Sequence, residues 1–281
     1  MAATTIIKAS GRPEAFDLQK LIDSLIRSGA SPDTAGKIAG EIEARITPGM
    51  HTRKIYGLAK RLLRQYSSPS SMRYSLKRAI ASLGPSGYPF EKYFARVLAA
   101  HGYRTEVSRI IEGYCVAHEV DVVAAKGDEI AFIECKYHNN GGKPTDVKVA
   151  LYVHSRFADI KKAHELRHGE NGMVRKGWLA TNTRCTTDAI KYAECVGLKI
   201  VSWRYPASGS LERMIEEQRL YPINVIPAVR QDALASLFHQ DIILAQEVAD
   251  MDEQSFVVKS GLDPRTARLI KKQADELCPC F

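Results

Sequence analysis

The stretch HEVDVVAAKGDEIAFIECKY, residues 118–137, decides the fold. Its Val-rich half, Glu119–Ala125, reads as a strand, Lys126-Gly127-Asp128 as a tight turn, and Glu129–Tyr137 as the returning strand. Side chains alternate along a strand, so Glu134 and Lys136 leave the same face. A hairpin across the turn brings Asp121 close to both. The apolar run Ile130–Ile133 reads as buried, and charges that end a buried strand are costly unless they are used. The same residues also allow a plain surface ion pair at a strand end.

Outward from this hairpin the pattern alternates. Glu91–His101 reads as a helix, with Phe90, Phe94, Val97 and Leu98 on one side. Tyr103–Glu106 is a predicted strand, residues 146–166 a helix, Gly177–Thr181 a strand, Thr186–Val196 a helix and Lys199–Trp203 a strand. Strands alternating with helices predict an α/β fold, a mixed central sheet covered by helices.

Two carboxylates and an ammonium group at one point suit phosphodiester hydrolysis. Mg²⁺ or Mn²⁺ takes oxygen ligands, commonly one or two carboxylates with water and substrate phosphate. Asp121 and Glu134 are the predicted metal ligands, the backbone carbonyl of Cys135 a further one, and Lys136 the group that orients water or stabilises the phosphate. His118 reads as a ligand or base, or as a solvated strand residue. Lys143, Lys148, Arg156, Lys161 and Lys162 are candidate phosphate contacts, and HNNGGKPT, residues 138–145, a loop able to close on substrate.

Asp121, with Glu134-Cys135-Lys136 after an apolar run, resembles the PD-(D/E)XK nuclease superfamily, and most closely its Mrr-like restriction endonuclease branch. GYPFEKYFARVLAAHGY matches the opening helix of that family. GWLATNTRCTTDAIKYAECVGLKIVSW matches its closing strand–helix–strand, including Thr181-Asn182. The resemblance spans about residues 86–205 and implies a metal-dependent endonuclease acting on DNA. It also implies a catalytic role for Glu91, where many members place an extra metal-associated acid, so that Glu91, Asp121 and Glu134 would hold the metal together. Many Mrr-like members have Gln at the position of Glu134.

The opening segment reads as a short extended stretch, Thr4–Lys8, and a turn at Ser10-Gly11-Arg12-Pro13. Helices follow over Phe16–Ile26, Pro32–Ile46, Thr52–Tyr66 and Ser71–Leu83, with Ser31 or Asp33 near the start of the second and Thr52 as N-cap of the third. IIKASGRPEAFDLQKL and GMHTRKIYGLAKRLL resemble the ATP-cone domain. That resemblance, over about residues 3–85, implies ATP or dATP as a regulatory ligand held by Lys8, Gly11, Arg12, Lys20 and Thr52. The position after the strand lysine is Ala9, where that domain carries Arg; Arg12 is the substitute at hand. A basic helical unit docking DNA directly is the other reading.

Gly84-Pro85-Ser86-Gly87 reads as a linker. Three domains are thus expected: 1–85, 86–205 and 221–281. The last is a helical segment over Phe238–Val248, Asp252–Val258 and Pro264–Leu277. Its turn Ser260-Gly261-Leu262 resembles half of a helix–hairpin–helix unit; DNA contact and helical packing both stay open there.

Charge agrees with a phosphate-rich partner. The net charge of +8 lies wholly in residues 1–85, which hold 14 Lys and Arg against 6 Asp and Glu. No apolar run approaches the ~20 residues of a membrane span. Six scattered cysteines show no framework spacing, and no secretory signal opens the chain, so a reduced cytoplasmic setting is expected. Cys278-Pro-Cys280 admits a metal or redox role, or a frayed tail. The expected partners are DNA and a nucleotide, no membrane, and a second copy of the chain in a homo-oligomer. The rival reading is a non-enzymatic, nucleotide-responsive DNA-binding regulator with a nuclease-like fold.

Overall fold

The computed structural model describes residues 4–8, 11–168 and 174–279. Ala9, Ser10 and Cys280, which entered the readings above, lie outside them. Two compact units emerge: residues 80–220, and residues 1–79 together with 221–281. The third expected domain therefore shares its unit with the first.

In the composite unit, β1 (Thr5–Ile7) turns back onto β2 (Pro13–Ala15), and Gly11 takes a φ of +81° that side-chain-bearing residues rarely adopt. Helices α1 (Leu18–Arg27) and α2 (Pro32–Glu43) start at Asp17 and Ser31, whose side chains accept the N–H of Lys20 and Thr34. Strand β3 (Met50–His51) pairs parallel with β1 and leads into α3 (Thr52–Tyr66). Thr52 is not the expected cap. His51 holds the cap position, without a side-chain hydrogen bond, because the β3 pairing runs up to it.

The helix expected over Ser71–Leu83 is two helices, α4 (Ser68–Tyr74) and α5 (Leu76–Ala81). Ser75 lies between them, and its hydroxyl donates to the Ser71 carbonyl, a local bond that competes with helix continuation. Leu21, Leu25, Ile38, Ile42, Ile55, Leu62 and Leu63 fill the core of this part.

The second unit follows the alternating pattern: α6 (Tyr88–Ala100), β4 (Arg104–Glu112), β5 (Ala117–Lys126), β6 (Glu129–Lys136), α7 (Val147–His168), β7 (Val174–Thr181), α8 (Thr187–Val196), β8 (Lys199–Val201) and α9 (Leu211–Gln218). The sheet order is β4-β5-β6-β7-β8, antiparallel across the first two pairings and parallel across the last two. Val120, Val122, Ala131 and Ile133 are buried on one face of the hairpin. Leu179 and Ile200, in register with the opposite face, pack under Ala150 and Val153 of α7 and Ala189 and Ala193 of α8. Strand β4 outruns its prediction, running on through residues 107–112 along β5, with most of its side chains exposed as on an edge strand. Helix α9 was not foreseen; Leu211, Met214 and Ile215 form its buried side, and the Met214 carbonyl lies 3.0 Å from Nε2 of His101.

The C-terminal stretch holds α10 (Gln231–His239), α11 (Ala245–Ala249), α12 (Glu253–Ser260) and α13 (Pro264–Leu277). The single helix expected over Phe238–Val248 is broken at Asp241, whose φ is +55°. Ile242–Leu244 then run on as buried, non-helical chain. Among the described residues, no helix is long and apolar enough to cross a membrane.

Candidate active site

The site forms where strand pairing gives way. The β5–β6 ladder runs from Lys126↔Glu129 to Val122↔Ile133, so Asp121 and Glu134 come next, just beyond its last pair. On the other side the β4–β5 ladder skips from Val107↔Val122 to Arg109↔Val120, and Ser108, facing Asp121, has a φ of +54°. Asp121 is thus freed from both neighbours at backbone level. Its Oδ2 accepts the N–H of Cys135 at 2.7 Å, which ties the carboxylate to β6 between Glu134 and Lys136.

Glu134 and Lys136 share the Asp121 face, as alternation requires, while Cys135 is buried on the other. Lys136 is exposed at the strand end and has no ion-pair partner among the described residues. Glu91, in the first turn of α6, adds a third carboxyl group. Burial pushes Glu91 up to about 7, with the charges of Asp121, Glu119 and Glu134 acting in the same direction. Glu134 is likewise raised to about 7, first by burial and next by Asp121; these outweigh the opposing charges of Arg156 and Lys136. Asp121 is raised by burial as well, against the hydrogen bond from Cys135.

Acids raised first by burial and then by one another's charge are a donor set that a hard cation would relieve. On that ground the residues fit a divalent metal. Among the described residues, however, no three His, Cys, Asp or Glu side chains gather closely enough to hold one by themselves. The set available is therefore Asp121, Glu134 and the Cys135 carbonyl. Glu91 stands beside it as a neighbouring charge, a departure from the expected three-carboxylate cradle.

One residue is placed differently from its sequence reading. Arg156, expected to meet DNA phosphate from the surface of α7, turns inward. Its Nη1 donates to Glu134 Oε2 at 2.5 Å, its Nη2 donates to the Glu119 carbonyl, and its side chain is only 17% exposed. The one trace of this in the sequence is position: Arg156 borders the apolar stripe of Val153, Phe157 and Ile160.

His118 takes neither reading given to it. Its Nε2 lies 2.8 Å from Asp159 of α7. Asp159 is held down to about 2, first by that bond and further by the N–H groups of Cys115 and Val116. The remaining candidate lysines divide. Lys161 pairs with Glu165 and Lys162 lies over the Tyr114 ring, whereas Lys143 and Lys148 are exposed.

Behind β6 is a buried polar network. Asn182 Oδ1 accepts the His138 N–H at 2.9 Å, and its Nδ2 donates to the His138 carbonyl at 2.8 Å. The His138 ring meets Thr145 Oγ1, which meets Thr181 Oγ1. Burial, then Lys136 and Lys143, pushes the His138 pKa below its usual value. Both ends of the 138–145 loop are thereby pinned, and its middle turns at Asn140, whose carbonyl accepts the Lys143 N–H. Pro85–Gly87, Glu134–Asn140 and Lys143 line an open cleft of about 450 Å³ over the site.

Residues 84–204 match the family model of the Mrr-type restriction endonuclease catalytic domain, and residues 221–278 match the AF1548-like C-terminal domain. An uncharacterized protein of Archaeoglobus fulgidus is 34% identical over 183 residues, covering 65% of this chain and 98% of that protein. The chain belongs to the AF1548-like family. The crystal structure of AF1548, described as a protein of unknown function, is similar to it at a TM-score of 0.58 and 32% identity, covering 68% of this chain and 98% of that one. Asp121, Glu134 and Lys136 of this AF1548-like chain all lie inside the segment matched as a restriction endonuclease domain. Residues 1–83 lie outside both matched domains.

Proposed function

We propose that this chain is a metal-dependent DNA endonuclease whose cutting site is Asp121, Glu134 and Lys136. The observation that carries it is Asp121, released from both strand ladders and anchored on the Cys135 N–H beside two further acids that resist ionisation. Asp121, Glu134 and the Cys135 carbonyl would hold Mg²⁺ or Mn²⁺, which supplies Lewis acidity at the scissile phosphate and acidifies a neighbouring water. Lys136, exposed at the mouth of the cleft, positions that water or offsets charge growing on the phosphate. Glu91, neutral or charged near pH 7, is placed to exchange a proton at the rim.

The restriction-type domain favours DNA as the substrate. Lys143, which lines the cleft, is the phosphate contact best placed for it, with Lys148 exposed in the first turn of α7. A nucleotide-binding role for the N-terminal segment has geometric support. Lys8 and Lys20 both approach Glu14, at 3.0 and 3.7 Å. The parallel pairing Ile7↔His51 brings Thr52 next to Lys8 at the same end of the small sheet. A triphosphate offered to these donors replaces Glu14 as their partner. ATP or dATP bound there regulates cutting in this reading.

Incubating purified protein with supercoiled plasmid tests both parts. Nicking is expected with Mg²⁺ or Mn²⁺ and not with EDTA, and its rate is expected to change on adding ATP or dATP, an effect lost in Lys8→Ala/Lys20→Ala protein. Metal-independent nicking, or none under any condition, would falsify the nuclease reading; a nucleotide effect that survives the double substitution removes the N-terminal assignment.

A further inference from the structure

We propose that Arg156 is the built-in counter-ion of the metal site, displaced when a divalent cation binds and then free to contact the DNA phosphate. The proposal rests on the reading of Asp121 and Glu134 as metal ligands. Arg156 Nη1 is 2.5 Å from Glu134 Oε2, with both side chains largely buried (17% and 23% exposed). The guanidinium takes part of the acceptor capacity of the Glu134 carboxylate and sets a full positive charge beside it, which opposes the approach of a second cation. The two positive charges therefore compete for one place.

Two features make the exchange possible without refolding. Helix α7 keeps a separate tie to β5 and its loop: Asp159, three residues along, bonds His118 Nε2 at 2.8 Å and the Cys115 N–H at 2.9 Å. The helix thus stays in place when Arg156 lets go. The guanidinium also has a neighbour besides Glu134 that does not depend on the carboxylate. The exposed ring of Tyr152, one turn earlier on α7, lies 5.3 Å from its centre, within cation–π range. From there a freed guanidinium can make the two parallel bonds to a phosphate that suit its planar fork. Arg156 in this way offsets the Glu134 charge, and loading the metal delivers a phosphate-binding group at the same moment.

The test is Mn²⁺ affinity of the full chain without DNA, followed by calorimetry, for wild type, Arg156→Met and Arg156→Lys. Met keeps the apolar stem and removes the competitor, so Mn²⁺ is expected to bind about tenfold tighter. Lys retains the charge but not the fork and is expected to fall between. Fluorescent duplex DNA in Ca²⁺ buffer is expected to bind Arg156→Met several-fold more weakly than wild type. Unchanged or weaker Mn²⁺ binding in both variants overturns the proposal, as does unchanged DNA affinity. Absence of Mn²⁺ binding in all three proteins sinks the metal-site reading along with it. Tighter Mn²⁺ binding and weaker DNA binding in Arg156→Met, with no plasmid cutting by wild type, would leave the exchange standing and remove only the nuclease reading.

Discussion

Asp121→Ala protein is expected to lose metal-dependent nicking by about a thousandfold or more, equivalent to roughly 4 kcal/mol of transition-state stabilisation. The carboxylate has two jobs. It is the acid that neither strand ladder restrains, and it fixes β6 through the Cys135 N–H. Alanine removes both. Asp121→Asn separates them, because the amide oxygen can still accept that N–H while the charge is gone. Equal loss in both variants assigns the effect to charge. Lys136→Ala is expected to lose a comparable amount without disturbing the fold, since its ammonium is exposed and has no ion-pair partner among the described residues. Melting temperatures of Asp121→Asn and Lys136→Ala close to wild type, measured beside the nicking rates, separate chemistry from stability. Full activity in Asp121→Ala ends the assignment.

The largest stability effect is expected at Asn182, which is 2% exposed. Its amide satisfies the N–H and the carbonyl of His138 together, two residues beyond Lys136. Asn182→Ala leaves both backbone groups buried without their partner. That costs about 2–4 kcal/mol, seen as a fall of roughly 5–10 °C in the melting of the unit that contains it. Activity measured well below that transition is expected to fall too, because the end of β6 is no longer pinned beside the metal ligands. Asn182→Asp keeps an acceptor for the His138 N–H but sets a buried carboxyl oxygen against its carbonyl, so it is expected to be destabilised at least as much as alanine. A melting temperature unchanged in Asn182→Ala would show that the network carries no load.

The hairpin was legible because three independent signals coincide in residues 118–137: Val-rich alternation, a Lys-Gly-Asp turn, and a buried run ending in charge. The Asp121–Glu134–Lys136 face follows from period-two geometry alone, and β7, α8 and β8 from plain alternation of strand and helix. Features set by tertiary contact were not legible. Arg156 reads as one more surface cation, because nothing local tells an arginine which side of α7 will meet an acid. His118 could not announce its partner, since Asp159 is 41 residues away. The break at Asp241 was hidden by Ile242–Leu244, whose apolar run satisfies a helical pattern as easily as a buried extended one. Helix α9 escaped notice because its buried side is only Leu211, Met214 and Ile215 in a segment rich in charge. The grouping of residues 1–79 with 221–281 depends on contacts between segments some 140 residues apart, beyond any local pattern.

The central claim, that Asp121 and Glu134 jointly hold a divalent cation, is tested most directly by Mn²⁺ titration at pH 6 and pH 8. Glu134 and Glu91 are raised to about 7, so protons hold the site at pH 6 and must leave before metal can bind. Affinity is therefore expected to rise about tenfold or more from pH 6 to pH 8 in wild type, with one ion bound per chain, and binding to vanish in Asp121→Asn and Glu134→Gln at both pH values. Mn²⁺ binding that is independent of pH and survives both substitutions would contradict the account.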